Sequence, residues 1–386
     1  MDPRDARPEL KRDGGSSRPP ADAGGHRGRL TSVAAPPTTP FPSLPLDATG
    51  DPSTLVAELV ERFALADRHG AVARVRELLA SGVDDREVRD VVGLAIRHVG
   101  ELWQAGHWTI TQEHAATAVA EAVLTSLEVA ASHADPVGAV AVVAADGEWH
   151  ALPARLASHA FEHVGLAVRY LGAGHPADDV ARTLPGADVD VLAVSVTMVG
   201  NLPGAARTVA AGRAAGMPVL VGGAAVTEAR AAAIGADGYA ATVDGGAELA
   251  RSWCVGGRPT DVPTPSLDRP AHQRLCAASE GLRDAAFAAT AERWPDLEDA
   301  AEHVIDRVCE DLELQLDHLA TALLLRDPSA YLDLVPWLAD VQAGRRLPAG
   351  AIEAQLDGLR EALADQPAAR ELVETARRHL RRPATT

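Results

Sequence analysis

The sequence predicts a multidomain protein of mixed class, in which a parallel α/β sheet lies between two all-α regions. Buried-strand patterns alternate with helix-length segments between residues 135 and 255. On both sides of this region, apolar residues recur at helical spacing instead. The chain has 386 residues, which is more than one small hydrophobic core supports, so we expect several domains.

The region from residue 51 to residue 134 is predicted to be a four-helix bundle. Gly70, Ser81-Gly82 and Gly106 interrupt its apolar periodicity and are predicted to separate the helices. The last helix is expected to begin near Thr109.

The region from residue 135 to residue 255 is predicted to be a doubly wound sheet of five parallel strands. Each strand is a short apolar run followed by a helix-length segment, which is typical of repeated βα units. Right-handed crossovers then place helices on both faces of the sheet. The predicted strands are Ala139–Ala144, Ala167–Leu171, Val189–Thr197, Pro218–Gly222 and Gly238–Ala241.

Three further segments complete the predicted organisation. Residues 1–50 are rich in Pro, Gly, Ser, Ala and Arg without periodicity, which predicts a disordered leader. Residues 256–270 have the composition of a proline-rich linker. Residues 271–386 are predicted to form a third, all-α domain, whose long apolar stripe stops at Asp327-Pro328.

Composition and charge argue against several classes of partner. The chain has 36 basic and 54 acidic residues and a net charge of −18, which disfavours nucleic acid or an anionic membrane as the main partner. Three widely separated cysteines suggest neither a disulfide framework nor a cysteine metal site. Without a signal-peptide pattern or a long apolar stretch, we expect a cytoplasmic protein, and we expect it to form homo-oligomers.

A histidine follows the first predicted strand, where ligands of open α/β sheets bind. His150 ends the loop in the stretch AVAVVAADGEWHALP, from Ala139 to Pro153. An imidazole at this point can coordinate a metal ion. Two residues earlier, Glu148 can accept a hydrogen bond from the other ring nitrogen and so fix the tautomer.

Small and hydroxyl residues lie at the ends of the third and fourth predicted strands. Ser195 and Thr197 end the third strand, and Gly222 and Gly223 end the fourth. Because glycine has no side chain, a ligand can approach the backbone closely there.

The segment Gly147-Glu148-x-His150-x-Leu152 resembles the cobalamin-binding signature. The resemblance implies that His150 ligates cobalt from below and that Ser195, Thr197, Gly222 and Gly223 surround the displaced nucleotide tail. Two positions depart from the signature, since Glu148 stands in place of the usual Asp and Pro153 in place of the usual Gly.

A second motif lies in the predicted bundle, where Trp103 precedes Glu113-His114 in LWQAGHWTITQEHAAT. It is similar to the Trp and Glu-His motif of CarH-like, cobalamin-dependent photoreceptors. The resemblance implies that the bundle caps adenosylcobalamin, with Trp103 against the adenosyl group and Glu113 and His114 hydrogen-bonding nearby. Gln104 stands where that branch has a second histidine, and His107 is an alternative.

The stretch beginning at Leu316, LDHLATALLLRDPSAYLDLVPWLADVQ, is similar to the globin-like domain of RsbR-type stress sensors. This domain order resembles that of photocobilins, which bind adenosylcobalamin and biliverdin. The resemblance implies a biliverdin site, with His318, Tyr331 and Trp337 as candidate contacts. We expect non-covalent binding, because Cys309 lies in a periodic helix and is expected to be buried, while Cys276 remains an alternative thiol.

These observations favour a light-sensing photoreceptor, not an enzyme, with small-molecule chromophores as ligands. The alternatives are a corrinoid carrier for methyl transfer, a cobalamin sensor with a purely structural helical output domain, and a helical scaffold or heme sensor with a vestigial sheet. His159 and His163 have a spacing that can bind zinc. No cysteine or carboxylate lies at a matching spacing, so both are predicted to be helix-surface residues.

Overall fold

The computed structural model describes residues 52–128, 135–257, 259, 263–297 and 299–380. The predicted disordered leader, residues 1–50, lies outside the described residues, as do positions 258 and 260–262 of the predicted linker. Within the described ranges, no helix is both long enough and apolar enough to cross a membrane.

Four helices form the first part of the structure, as predicted. They are α1 (Pro52–Ala64), α2 (Arg68–Ala80), α3 (Asp85–Gln104) and α4 (Ile110–Glu128). The predicted break at Gly70 is wrong, because this glycine lies within the first turn of α2. The chain instead turns at Ala66, which has a φ of 51°, and the Asp67 side chain then accepts a hydrogen bond from the Gly70 amide. A capping aspartate therefore marks the start of this helix.

The central region forms the predicted sheet of five parallel strands in the order β2-β1-β3-β4-β5. Its strands are β1 (Ala139–Ala144), β2 (Ala167–Gly172), β3 (Val191–Ser195), β4 (Val219–Gly222) and β5 (Gly238–Ala240). Its helices are α5 (Ala151–His163), α6 (Ala177–Thr183), α7 (Leu202–Ala214), α8 (Glu228–Ile234) and α9 (Val243–Gly256). The chain order changes sides at β1 and β3, so a crevice opens at their carboxyl ends.

The helix α5 joins the four-helix bundle to the sheet. Leu152 is almost fully buried in the core of the bundle, and Leu156 packs against the same core. The opposite side of α5 places Ala154 and Phe161 in a core of the sheet. Pro153 lies in the first turn of α5, where its missing N–H removes no intrahelical hydrogen bond. The bundle is therefore seated on the helix that follows the His150 loop.

The last part of the structure is all-α, as predicted. Its helices are α10 (Arg269–Ala291), α11 (Glu302–Leu325), α12 (Ser329–Leu332), α13 (Leu334–Gly344), α14 (Ala351–Ala362) and α15 (Pro367–Leu380). The helix α11 ends before Asp327-Pro328, where Arg326 takes a left-handed conformation. These helices share one hydrophobic core of their own.

The core of the C-terminal helices also contains a chain of buried polar side chains. Gln342 donates a hydrogen bond to Asp311 at 2.8 Å and another to Gln355 at 3.2 Å. Gln315 donates to Gln355 at 3.0 Å and accepts from the Tyr331 hydroxyl at 3.2 Å. Burial raises the pKa of the Asp311 carboxyl. These hydrogen bonds fix the packing of four helices around one polar line.

The C-terminal helices also pack directly against the sheet domain. Arg230 of α8 is buried and donates hydrogen bonds to Asp327 at 2.8 Å and to Ser329 at 3.1 Å. Leu325, at the end of α11, is part of the hydrophobic core on one face of the sheet. The sheet domain thus contacts both all-α regions, the bundle through α5 and the C-terminal helices through Arg230 and Leu325.

Candidate functional site

The imidazole of His150 lies at the carboxyl end of the sheet, immediately before α5. Its Nδ1 is 2.5 Å from Oε1 of Glu148, which is fully buried. The His150 side chain itself is 54% exposed. Because the carboxylate engages Nδ1, the neutral ring presents Nε2 as its coordinating nitrogen.

The Glu148 carboxylate joins the loops that follow β1 and β3. Its Oε1 accepts a second hydrogen bond, from the His150 backbone amide at 3.1 Å. Its Oε2 accepts from the backbone amides of Thr197 at 2.8 Å and Met198 at 3.0 Å. The Asn201 side chain also donates to this carboxylate. A buried carboxylate with so many donors holds its loop, and therefore His150, in one position.

The same contacts explain the protonation of both groups. Burial raises the pKa of Glu148, but hydrogen bonds from His150, Asn201 and backbone amides outweigh it and lower the pKa to about 2. The pKa of His150 is raised, mainly by its hydrogen bond to Glu148 and also by the charges of Glu148 and Glu113. Glu148 is therefore ionised at neutral pH and is a strong acceptor for the imidazole N–H.

The ends of β3 and β4 form the floor beside this loop. Ser195 is buried, and the hydroxyl of the half-buried Thr197 has no hydrogen-bond partner within the described structure. Gly222 is half-buried and Gly223 is exposed. Gly223 has a φ of 113°, and a Cβ there would lie 2.3 Å from the Val196 carbonyl oxygen. Glycine at 223 is thus required by the turn itself, while Thr197 contributes a buried hydroxyl without a hydrogen-bond partner in the described structure.

The Glu113-His114 pair lies on α4 of the bundle, on the side towards His150. The Nδ1 of His114 is 2.5 Å from Oε2 of Glu113, and Oε1 of Glu113 accepts from the Thr117 hydroxyl at 3.1 Å. The His114 side chain is largely exposed. Glu113 is near enough to His150 for its charge to raise the pKa of that imidazole. The fold therefore brings together two motifs that are separated by more than thirty residues in sequence.

Trp103, near the end of α3, contacts the C-terminal helices. Its ring centroid is 6.2 Å from that of Trp337 on α13, and the Arg345 guanidinium lies 4.7 Å from the Trp103 ring. Beside them, Gly106 and Gly344 approach so closely that a Cβ on Gly106 would lie 2.1 Å from the Gly344 carbonyl oxygen. We call Trp103, Trp337 and Arg345 the tryptophan junction. Gln104 is the last residue of α3 and His107 is exposed just beyond it.

The three residues proposed as biliverdin contacts have separate surroundings. His318 is buried against Gly200 of the sheet domain, and its Nδ1 donates to the Leu314 carbonyl at 2.9 Å. Burial lowers the pKa of His318. Tyr331 belongs to the buried polar chain, and Trp337 belongs to the tryptophan junction. His318 and Trp337 therefore both lie where the C-terminal helices meet other parts of the structure.

The cysteines differ in exposure from the prediction at one position. Cys309, expected to be buried, is only half-buried. In this part of α11 only the side that carries Val308 and Leu312 faces the core. Cys276 is exposed, and its sulfur lies 3.6 Å from Nε2 of His272. Burial raises the pKa of both thiols. Neither is thus activated as a thiolate for covalent attachment.

The predicted surface position of His159 is wrong. This side chain is fully buried, and its Nε2 is 3.6 Å from Oδ2 of Asp85, at the start of α3. His163 is half-buried, and its Nδ1 is 3.2 Å from Oδ1 of Asp85. No carboxylate lies at a matching spacing from these histidines along the chain. Packing of the bundle on α5 instead brings the Asp85 carboxylate of α3 to them.

Two residues beside His150 were not among the predicted site residues. Asn201, which bonds to Glu148, follows β3 in the segment Val199-Gly200-Asn201. A polar amide after a buried strand in an α/β sheet is a recognisable signal. Trp149 is 78% exposed, and its ring lies beside Gly174, which gives the loop an aromatic surface next to the imidazole. Such exposure of a large aromatic side chain is not readable from sequence.

Comparison with known proteins assigns both halves of this site to cobalamin-binding domains. Residues 138–250 match a family model described as a B12 binding domain. Residues 55–128 match a second family model, which is also described as a B12 binding domain. The sheet and the four-helix bundle thus each match a B12 binding domain, and the bundle is hereafter called the cap.

One similar curated protein is the HTH-type transcriptional repressor CarH of Myxococcus xanthus, with 30% identity over 155 residues. The match spans 39% of this chain and half of the length of that protein. A solved Methanosarcina barkeri monomethylamine corrinoid protein is 18% identical, with a TM-score of 0.47 over 52% of this chain and 99% of that one. A cobalamin-binding protein from Desulfitobacterium hafniense is 20% identical, with a TM-score of 0.30 over 52% of this chain and 98% of its own.

Proposed function

We propose that this protein is a non-enzymatic light sensor that binds adenosylcobalamin between the cap and the sheet, with His150 as the lower cobalt ligand. Bound there, the cofactor would supply a cobalt–carbon bond that visible light can break. The observation that carries the proposal is the 2.5 Å hydrogen bond between Nδ1 of a half-exposed His150 and the buried Glu148. This pair has the donor chemistry of a metal-ligating imidazole with its orienting carboxylate.

The surroundings of His150 fit a corrinoid ligand in two further respects. The unpartnered hydroxyl of Thr197 offers a hydrogen bond to a polar group that enters the crevice. The Glu113-His114 pair of the cap supplies further polar groups, and the charge of Glu113 acts on His150. In the proposed complex Thr197, Ser195, Gly222 and Gly223 would hold the nucleotide tail, and Trp103, Glu113 and His114 of the cap would surround the adenosyl group.

The tryptophan junction supports a sensing role, because it gives the C-terminal helices direct contact with the cap. Trp103 packs on the cap core and Trp337 on the core of the C-terminal helices, so their contact joins two hydrophobic cores. A change in the position of α3 alters this contact. Communication between two parts of a protein requires such a contact to differ between states.

Absorption spectra test the proposed cofactor and its light response. The full chain is loaded with adenosylcobalamin in the dark, passed through gel filtration and measured before and after green light. We expect bound cofactor in the dark and a changed, protein-bound cobalamin spectrum after illumination. Equal binding of methylcobalamin and adenosylcobalamin would favour a corrinoid carrier, and a chain that retains no cobalamin would exclude both functions.

Substitution of Trp103 by alanine is expected to remove the preference for adenosylcobalamin over methylcobalamin. In the proposed complex the large indole would limit the space next to the adenosyl group, and its removal would leave a cavity that accepts either cobalamin. The measurement is the ratio of the two dissociation constants, for which we expect a fall of about tenfold. Trp108, which is buried in the cap core, is the matched control, since Trp108→Phe should leave the ratio unchanged.

We further propose that the C-terminal helices bind biliverdin non-covalently where they meet the rest of the protein. His318 against Gly200 and Trp337 against Trp103 both lie at that boundary. Titration of the full chain should give a red-shifted visible band that survives gel filtration and is lost on denaturation, and His318→Ala should weaken it. If the full chain gives only the spectrum of free biliverdin, this part of the function is excluded and the helices are a structural output domain.

A further inference from the structure

A cluster of metal-ligating side chains lies between the cap and α5, away from the His150 loop. Asp84 and Asp85 stand at the start of α3, and His163 stands in the last turn of α5. One ligand atom from each of these three residues lies within 4.8 Å of the other two. His159, one turn earlier on α5, is fully buried with Nε2 3.6 Å from Asp85 Oδ2.

The guanidinium groups of the two arginines that follow these aspartates pair with another carboxylate, that of Asp244. Arg86 pairs with Asp244 at 3.3 Å. Arg89 is buried and pairs with Asp244 at 2.9 Å and also with Asp90. Asp84 and Asp85 instead face each other and His163. A cation placed between two carboxylates and an imidazole nitrogen is attracted by the negative charge of both carboxylates.

One distance within the cluster is also compatible with a shared metal ion. A zinc ion bonded to nitrogen and oxygen at roughly 2.0–2.2 Å holds its ligand atoms about 3.3 Å apart in a tetrahedron. The distance between His163 Nδ1 and Asp85 Oδ1 is 3.2 Å. His159 Nε2 lies 3.6 Å from the other oxygen of the same carboxylate, Asp85 Oδ2. A basic group in that place orients a ligating carboxylate.

Solvent reaches the cluster through a neighbouring cavity of about 390 Å³, which is lined in part by His163, Arg86 and Asp244. An ion can therefore enter and leave the folded protein. Three protein ligands leave the remaining coordination positions to water.

We propose that Asp84, Asp85 and His163 bind a divalent transition-metal ion, such as Zn²⁺, with His159 positioning Asp85. One imidazole with two carboxylates suits first-row transition metals better than Mg²⁺, which prefers oxygen alone. The bound ion ties the first turn of α3 to the last turn of α5. Because α5 begins directly after His150, the ion fastens the cap to the helix that carries the lower ligand.

Zinc binding to the full, cobalamin-free chain tests this site. The parent carries Cys276→Ser, because the exposed Cys276 lies 3.6 Å from His272 and would itself attract zinc. Competition with a chromophoric zinc chelator gives the affinity. We expect one tight site per chain, which Asp85→Asn and His163→Gln each weaken by about 100-fold. The matched control is His98→Gln, which removes an exposed imidazole 3.0 Å from Glu101 on the same helix and should leave the affinity unchanged.

Thermal unfolding supplies the second readout, with folding of each variant checked by circular dichroism. Zinc should raise the melting temperature of the parent and of His98→Gln but not of Asp85→Asn or His163→Gln, because only a ligand that binds the folded state stabilises it. If both cluster variants bind zinc as tightly as the parent, the proposal is overturned and the cluster is an ion-pair network. The proposal is likewise overturned if the parent binds none of Zn²⁺, Mn²⁺ and Co²⁺.

Discussion

Replacement of His150 by alanine is expected to weaken cobalamin binding by at least about tenfold and to change the absorption spectrum of the bound cobalt. The imidazole is held by Glu148 through Nδ1 and is half-exposed, so its Nε2 is available to a metal ion. Removal of this ligand leaves the lower cobalt position to water or to the cofactor's own base. The measurement is a titration with cobalamin in the dark, followed by the spectrum of the saturated complex.

His175 provides the matched control for this substitution. It follows β2 at the same edge of the sheet, and its Nε2 is 2.7 Å from the Leu171 carbonyl oxygen. We therefore expect His175→Ala to leave both the affinity and the cobalt spectrum unchanged. An unaltered spectrum in His150→Ala as well would mean that no protein imidazole binds the cobalt.

The second large effect is expected from Glu148→Gln, which should destabilise the folded protein by about 3 kcal/mol and lower cobalamin affinity. The fully buried carboxylate accepts hydrogen bonds from His150 and from the amides of Thr197 and Met198. A glutamine side chain retains a single acceptor oxygen and adds an N–H₂ group that faces other donors. Both loops then lose their common anchor, and His150 loses the group that fixes its tautomer.

The loss of stability in Glu148→Gln should become smaller as the pH falls. Glu148 has a pKa near 2 in the folded protein, below its usual value of 4.5, so its stabilising contribution is complete above about pH 4.5. This contribution is lost as the pH falls through 2. The difference in unfolding free energy between the unmodified protein and Glu148→Gln should therefore shrink between about pH 4.5 and 2. Urea denaturation at several pH values measures it, with Glu101→Gln as control for an exposed His–Glu pair. A difference that stays below 1 kcal/mol at pH 7, as for surface pairs, would contradict the anchoring role.

The sequence was most informative where the local pattern is strong. The five strands were predicted within two residues at each end, because short apolar runs bounded by glycine, proline and aspartate have few other stable arrangements in a buried sheet. The spacing of Glu148 and His150 likewise predicted a hydrogen bond, since a short loop brings two neighbouring side chains together.

Contacts between distant segments could not be predicted in this way. Trp103 and Trp337 meet through the packing of whole helices, which no local pattern encodes. The burial of His159 against Asp85 has the same origin. Glycine is a frequent helix breaker, so the sequence predicts a break at Gly70. The helix α2 instead starts before this glycine, because the Asp67 side chain caps its first turn.

We propose that light acts on the protein through adenosylcobalamin held between the cap and the sheet. The most direct measurement is small-angle X-ray scattering of the loaded full chain, in the dark and after green light, with the hydroxocobalamin-loaded chain as control. We expect the scattering curve to change on illumination with adenosylcobalamin and to stay constant in the control. Identical dark and light curves for a chain that binds adenosylcobalamin through His150 would contradict light sensing and leave a cobalamin-binding protein with another role.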